Sequence, residues 1–125
     1  MDQVISNWLL VDECLLDKKR VNFFESAIKK TIKPGDIVVD AGTGTGIMAL
    51  IAARSGAKKI FAVECDTEIS KAAELNIRKN NKGNQIRVTN ADVRKFTLPR
   101  GLVADVVIME MLDTWLIAEQ QSSAI

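Results

Sequence analysis

Asp40-Ala41-Gly42-Thr43-Gly44-Thr45-Gly46 is the stretch on which the reading of this chain turns. Before it lies Asp36-Ile37-Val38-Val39-Asp40, a β-branched run bounded by Pro34-Gly35 on one side and by glycines on the other, the pattern of a strand buried on both faces. After it, residues 47–55 are dominated by Ala, Leu, Ile and Met, carry Arg54 in the last turn and meet Gly56, which predicts a helix and its stop. Glycines between a buried strand and a helix let the backbone turn tightly and let a ligand approach without Cβ atoms in the way. The stretch reads as a nucleotide-binding loop.

Its spacing narrows the ligand. The glycines run Gly-x-Gly-x-Gly, and the third glycine of the dinucleotide pattern Gly-x-Gly-x-x-Gly would fall on Ile47, which disfavours a pyrophosphate. Asp40 would repel a diphosphate but suits a ligand with an ammonium and a sulfonium centre, as in S-adenosylmethionine. Residues 59–64 form a second apolar strand ending in Glu64, 22 positions after Gly42, where a carboxylate can accept both ribose hydroxyls of an adenosine; NAD would engage the same acid. Asp92, in Asn90-Ala91-Asp92-Val93, is placed to accept a bond from the adenine amino group.

The remaining segments alternate in kind. Residues 12–32 predict an amphipathic helix with Leu15, Leu16, Phe23, Phe24, Ala27 and Ile28 at helical intervals. Asp66 or Thr67 can cap a helix running to about Asn80, with Ile69, Ala72, Ala73, Leu75 and Asn76 on its inner side. Residues 86–89 alternate as a more exposed third strand, residues 104–109 form a fourth strand apolar on both faces, and residues 115–120 begin another helix. Strands and helices alternating in this way describe right-handed βαβ units, hence an α/β fold with a parallel sheet and helices on both faces.

Composition sets the outer bounds. A chain of 125 residues with 47% apolar and 26% charged residues supports one globular domain, residues 1–125. Lys plus Arg number 17 against 16 Asp plus Glu, but residues 71–100 hold Lys71, Arg78, Lys79, Lys82, Arg87, Arg94, Lys95 and Arg100 against only Glu74 and Asp92. A solvated face is the first reading of that basic flank and a nucleic acid contact the second. The chain has no histidine, which excludes Ser/His/Asp and Cys/His triads, and Cys14 and Cys65 lie far apart without a CxxC pattern, so no metal site is expected and the thiols read as free and buried. No apolar run approaches a membrane span and the N-terminus lacks a secretory pattern, so a cytoplasmic protein with no membrane partner is expected.

On Asp40, Gly42, Gly44, Gly46, Glu64 and Asp92 the chain resembles the class I S-adenosylmethionine-dependent methyltransferases. The resemblance implies a Rossmann-like sheet in the order 3-2-1-4, here with about four strands and so incomplete, and assigns Thr43, Cys65 and Val93 to the same cofactor site. A fourth strand at an apolar edge would then favour self-association or a further segment along it. Met109-Glu110-Met111-Leu112-Asp113-Thr114-Trp115-Leu116-Ile117-Ala118-Glu119 is similar to the double-glutamate loop of protein arginine N-methyltransferases, which implies catalytic roles for Glu110 and Glu119 on a guanidinium acceptor. Residues 12–20 are similar to that family's cofactor-covering helix, in which Arg20 would bind the methionine carboxylate. Asp113 and Thr114 stand where that family has a glycine and usually an aromatic residue, and its tyrosine motif, histidine-containing loop and C-terminal barrel have no counterpart. The resemblance therefore implies a methyltransferase, or its cofactor-binding half, acting on an arginine-like protein acceptor. An RNA or other methylase and an inactive S-adenosylmethionine-binding module are the alternatives.

Overall fold

Four β-branched stretches of the chain pair side by side in a computed structural model that describes residues 18–81 and 83–109. They are β1 (Ile37–Ala41), β2 (Lys59–Glu64), β3 (Ile86–Asn90) and β4 (Val106–Met109), all parallel and in the order β3-β2-β1-β4. The helices between and before them are α1 (Lys18–Thr31), α2 (Ile47–Arg54) and α3 (Thr67–Asn80). The strand order is the one the resemblance implied.

Strand side chains alternate between the two faces, and the two faces have different covers. Val38, Ile60, Ala62 and Ile108 pack with Ile28 of α1, with Ile32 just after it, and with Met48, Ala49, Ile51, Ala52 and Ala53 of α2. Val39, Phe61 and Val63 face the other way, where the irregular segment after β3 covers them with Val93, Phe96 and Leu98. α3 packs against the end of the glycine loop that leads into α2, with Ile77 beside Gly46 and the Asn76 amide donating to Thr45 O at 2.9 Å. The helix expected over residues 115–120 lies outside the described residues, as does the part of the first helix before Lys18 with Leu15 and Leu16.

Several expectations about which residues are inside are corrected. Phe23 is 70% exposed, because the inward stripe of α1 runs through the partly buried Phe24 and the buried Ile28, continues to Ile32 just beyond the helix, and leaves Phe23 off it. In α3 the buried positions are Ile69, Ser70, Ala73 and Ile77, an i, i+4 row that leaves Leu75 on the opposite side and 60% exposed. β4 was expected to be buried on both faces like β1, yet only Ile108 is buried and Val107 is 54% exposed, since β4 is an edge among the described strands while β1 is flanked on both sides. Residues 104 and 105 precede that strand; Asp105 instead ties it to β1, its carboxylate accepting Ile37 N at 2.8 Å while its own amide donates to Ile37 O. β1 begins at Ile37, because the Asp36 side chain closes the preceding turn on Lys33 N at 2.9 Å. Helix capping matches the sequence: Asp66 accepts Ile69 N at 3.0 Å, and Gly56 follows Ser55, the C-cap of α2, at φ 104.

Candidate functional site

The carboxyl ends of β1, β2 and β3 lie side by side, since Ala41 is level with Val63 and Glu64 with Asn90. Any loop leaving β1 there runs directly beside the end of β2. The glycine loop does so at short range: Gly42 N and Thr43 N both donate to Val63 O at 2.9 Å. Gly44 N then donates to Glu64 Oε1 at 3.0 Å, and Asp66 N donates to Glu64 Oε2 at 3.1 Å. Cys65 Sγ also donates to Oε2, at 3.7 Å, so of the roughly four lone-pair positions of the carboxylate the one left for another donor, such as a ribose hydroxyl, is on Oε1. Gly42, Gly44 and Gly46 all have positive φ, at 75, 59 and 88. At Gly46, which opens α2, a Cβ would also meet the Ile77 side chain at 3.0 Å.

Below the loop, Asp40 is 1% exposed and Thr43 is 5% exposed, with Thr43 Oγ1 donating to Asp40 Oδ2 at 2.6 Å. Burial pushes the Asp40 carboxyl up to about 6, the Thr43 hydrogen bond opposes that shift, and the Glu64 charge adds to it. Thr43 thus spends its hydroxyl and its amide inside the fold. Cys65 is exposed, not buried as expected, because it follows the last residue of β2 at the rim. Desolvation of its thiol, and next the Glu64 charge, raise its pKa.

Asp92 follows the end of β3 by two residues, and Arg94 holds its carboxyl down at about 2 through side-chain and then backbone hydrogen bonds. Val93 packs against the cluster of Val39, Phe61 and Val63. Arg20 sits half-buried in the first turn of α1. Glu110 and Glu119 lie outside the described residues; Met109, the residue before Glu110, is level with Ala41, the residue before the glycine loop.

Three supporting side chains escaped the sequence reading. Asn90 Nδ2 donates to Glu64 O at 2.9 Å and to Cys65 O at 3.1 Å, while its Oδ1 accepts from Thr67, which pins the turn that presents Glu64. Asn76 ties α3 to the loop carbonyl of Thr45, and Arg94 engages Asp92. An amide residue ending a strand is a weak signal by itself, and none of these bonds follows from spacing. In the basic flank, Arg78 pairs with Glu74, Lys71 with Glu68 and Arg94 with Asp92. No helix among the described residues is long and apolar enough to cross a membrane.

The family profile of ribosomal protein L11 methyltransferase (PrmA) matches residues 24–122, a stretch that contains the glycine loop and the acid ending β2. The chain belongs to this family. Its fold and relatives are those of class I S-adenosylmethionine-dependent methyltransferases. The methyltransferase domain is similar to an uncharacterized protein of Methanocaldococcus jannaschii, 41% identical over 107 residues, covering 86% of this chain and 40% of that one. It is also similar to protein arginine N-methyltransferase 1 of Oryza sativa, 31% identical over 122 residues, covering 96% of this chain and 31% of that one. Among solved structures, the Trypanosoma brucei PRMT1 enzyme-prozyme heterotetrameric complex with AdoHcy matches at a TM-score of 0.78 and 26% identity, covering 86% of this chain and 34% of that one. The chain thus spans less than half the length of these relatives.

Proposed function

We propose that this domain binds S-adenosylmethionine over the glycine loop and that its acceptor is an arginine side chain of a protein. The observation that carries the reading is the Glu64 carboxylate, anchored by the Gly44 and Asp66 amides at the rim of the sheet and still able to accept a further donor on Oε1. The residues present fit such a cofactor: Gly42, Gly44 and Gly46 put no side chain at three positions of the loop, Glu64 suits a ribose hydroxyl, and Asp92 is assigned to an adenine amino group. Arg20 is assigned to the methionine carboxylate. When bound, the cofactor supplies an electrophilic methyl group on a sulfonium centre.

Glu110 follows directly on β4, whose last residue is level with the entrance to the loop. With Glu119 it would grip a planar guanidinium at both edges and hold one nitrogen in line with the methyl group. A guanidinium has a pKa above ~12, so the two carboxylates act by drawing its positive charge to one side and by accepting the proton late. The similarity to protein arginine N-methyltransferase 1 extends over 96% of the chain and so supports this acceptor. Position, and not strong acid or base chemistry, supplies most of the rate.

Calorimetric titration with S-adenosylhomocysteine and with NAD tests the cofactor, and only the first is expected to bind. Tritiated S-adenosylmethionine offered with arginine peptides and with RNA tests the acceptor. Label is expected in the peptides, and Glu110→Gln or Glu119→Gln should remove at least ~100-fold of it while leaving S-adenosylhomocysteine affinity within about twofold. Label in RNA alone would reassign the acceptor, and binding without turnover on either pool would leave a cofactor-binding module.

A further inference from the structure

Each of the three helices is followed within a few residues by a parallel strand, so α1, α2 and α3 all end where the strands begin, at the end of the sheet opposite the glycine loop. The connections there touch one another. Lys58 N donates to Asp36 O at 2.9 Å, Ile60 N donates to Gln85 O at 2.8 Å, and a Cβ on Gly56 would lie 4.0 Å from Pro34 Cα. Lys30, Arg54 and Lys79 sit in the last turns of the helices, and Lys33 and Lys58 stand in the connections. All of these cations are exposed, and none pairs with an acid among the described residues. The acids at this end are engaged elsewhere: Asp36 Oδ2 accepts Lys33 N at 2.9 Å, Asp105 Oδ2 accepts Ile37 N at 2.8 Å, and Glu25 and Glu74 pair with Lys29 and Arg78. Cations in a last turn offset the exposed carbonyls of the helix end, which accounts for Lys30, Arg54 and Lys79. That account does not reach Lys33 and Lys58, which lie beyond the helices.

We propose that this end of the sheet is a docking surface for the phosphate backbone of a nucleic acid, separate from the cofactor rim. Cations gathered without acid partners repel one another and attract a polyanion. Among the described residues of the three connections, none is an exposed Leu, Ile, Val, Met or aromatic: Ile32 and Ala57 are buried, while Gly35, Gly56 and Asn84 are exposed. A membrane surface is held by apolar side chains as well as by charge, and a protein interface has an apolar centre. A phosphate backbone needs only cations and polar donors. Leu102 and Val103 are exposed on the segment entering β4, so a lipid surface is one arm of the test. β1 has five residues, a length of about 17 Å, so a nucleic acid held at its start leaves the rim open to cofactor and acceptor. The docking surface does not depend on the cofactor reading.

The test is fluorescence anisotropy of a labelled single-stranded RNA of mixed sequence, titrated with the 125-residue chain over a range of salt concentrations. Wild type is expected to bind, and more weakly as salt rises. K33Q/K58Q/K79Q should bind at least about tenfold more weakly and lower the slope of log affinity against log salt by about 2, at roughly 0.7 for each single-strand contact. The control K19Q/K71Q/K95Q removes the same charge from the first turn of α1, from α3 and from the segment after β3. It should weaken binding by less than about threefold. Thermal melting shows that both variants are folded; should the triple variant melt early, K33Q, K58Q and K79Q singly should each lower the slope by about a third of that amount. No binding by wild type at low salt, or equal weakening in the two triple variants, would overturn the proposal. So would tighter binding to phosphatidylserine vesicles or to polyglutamate than to the RNA, by showing that the surface serves a lipid or an acidic protein.

Discussion

Asp40 is the residue whose chemistry departs furthest from its ordinary behaviour. Burial beneath the loop, with Glu64 nearby, lifts its carboxyl from 3.8 to about 6. The folded chain therefore takes up this proton near pH 6 and the unfolded chain only near pH 4, so the folded state binds more protons between those values. The linked stability is greatest below pH 4, falls as pH rises through the window, and is fully lost above pH 6. A shift from 3.8 to about 6 corresponds to roughly 3 kcal/mol. Asp40→Asn should remove this slope, so that urea unfolding of the variant shows a gain of roughly 1–3 kcal/mol over wild type at pH 7.5, about a third of that at pH 4.5, and none at about pH 3. The acids at 40, 64 and 92 were legible from the sequence because each ends or follows a strand. Which of them is buried was not, since that depends on what packs above it.

At the scale of elements, the junction between the glycine loop and α2 is the most constrained piece of backbone. Gly46 has a φ of 88, and a Cβ there would meet Ile77 Cδ1 and Cγ1 at 3.0 Å. Gly35 has a φ of 92 with nothing within 4 Å of a built Cβ. Ala at either site pays for a left-handed backbone, about 1–2 kcal/mol. Gly46→Ala must also displace Ile77, so chemical denaturation should show it losing about 1–2 kcal/mol more than Gly35→Ala. Adding Ile77→Val to Gly46→Ala should recover part of that difference, and no recovery would mean that the strain is in the backbone alone. Leu75 is apolar but out of phase with the inner face of α3, which Ile69, Ala73 and Ile77 keep, and apolar character without helix phase does not reveal that. Asp66 as the cap of α3 was legible because its partner is three residues away.

The whole molecule is a sheet with unequal edges. β3 exposes Arg87 and Asn90 and half-buries Ile86, Val88 and Thr89, while β4 exposes Val107 at 54% after Leu102 and Val103 at 39% and 78%. Among the described residues β4 has a strand on one side only, and an edge strand with an apolar side chain at its centre favours pairing with another strand. Sedimentation of this 125-residue chain should therefore show association that grows with concentration, and Val107→Lys should shift it toward monomer without lowering S-adenosylhomocysteine affinity. A wild-type chain that stays monomeric throughout would mean that the edge is protected. The basic flank is another whole-molecule property: its sum was plain from the residues, but Arg78, Lys71 and Arg94 turn out to be paired.

The sequence by itself determined the alternation of strand and helix, the parallel sheet, the glycine loop and the acid ending β2, because each depends on neighbours a few residues away. Only the tertiary structure decided that Glu64 is anchored by Gly44, that Asn90 pins the turn beside it, that Asp40 is sealed in, and that β4 is half open where β1 is closed. Those outcomes depend on contacts between segments about 20 to 70 residues apart, and on which strand ends at an edge. A run of valines reads the same in the middle of a sheet as at its margin, and only its partners set how much of it water touches.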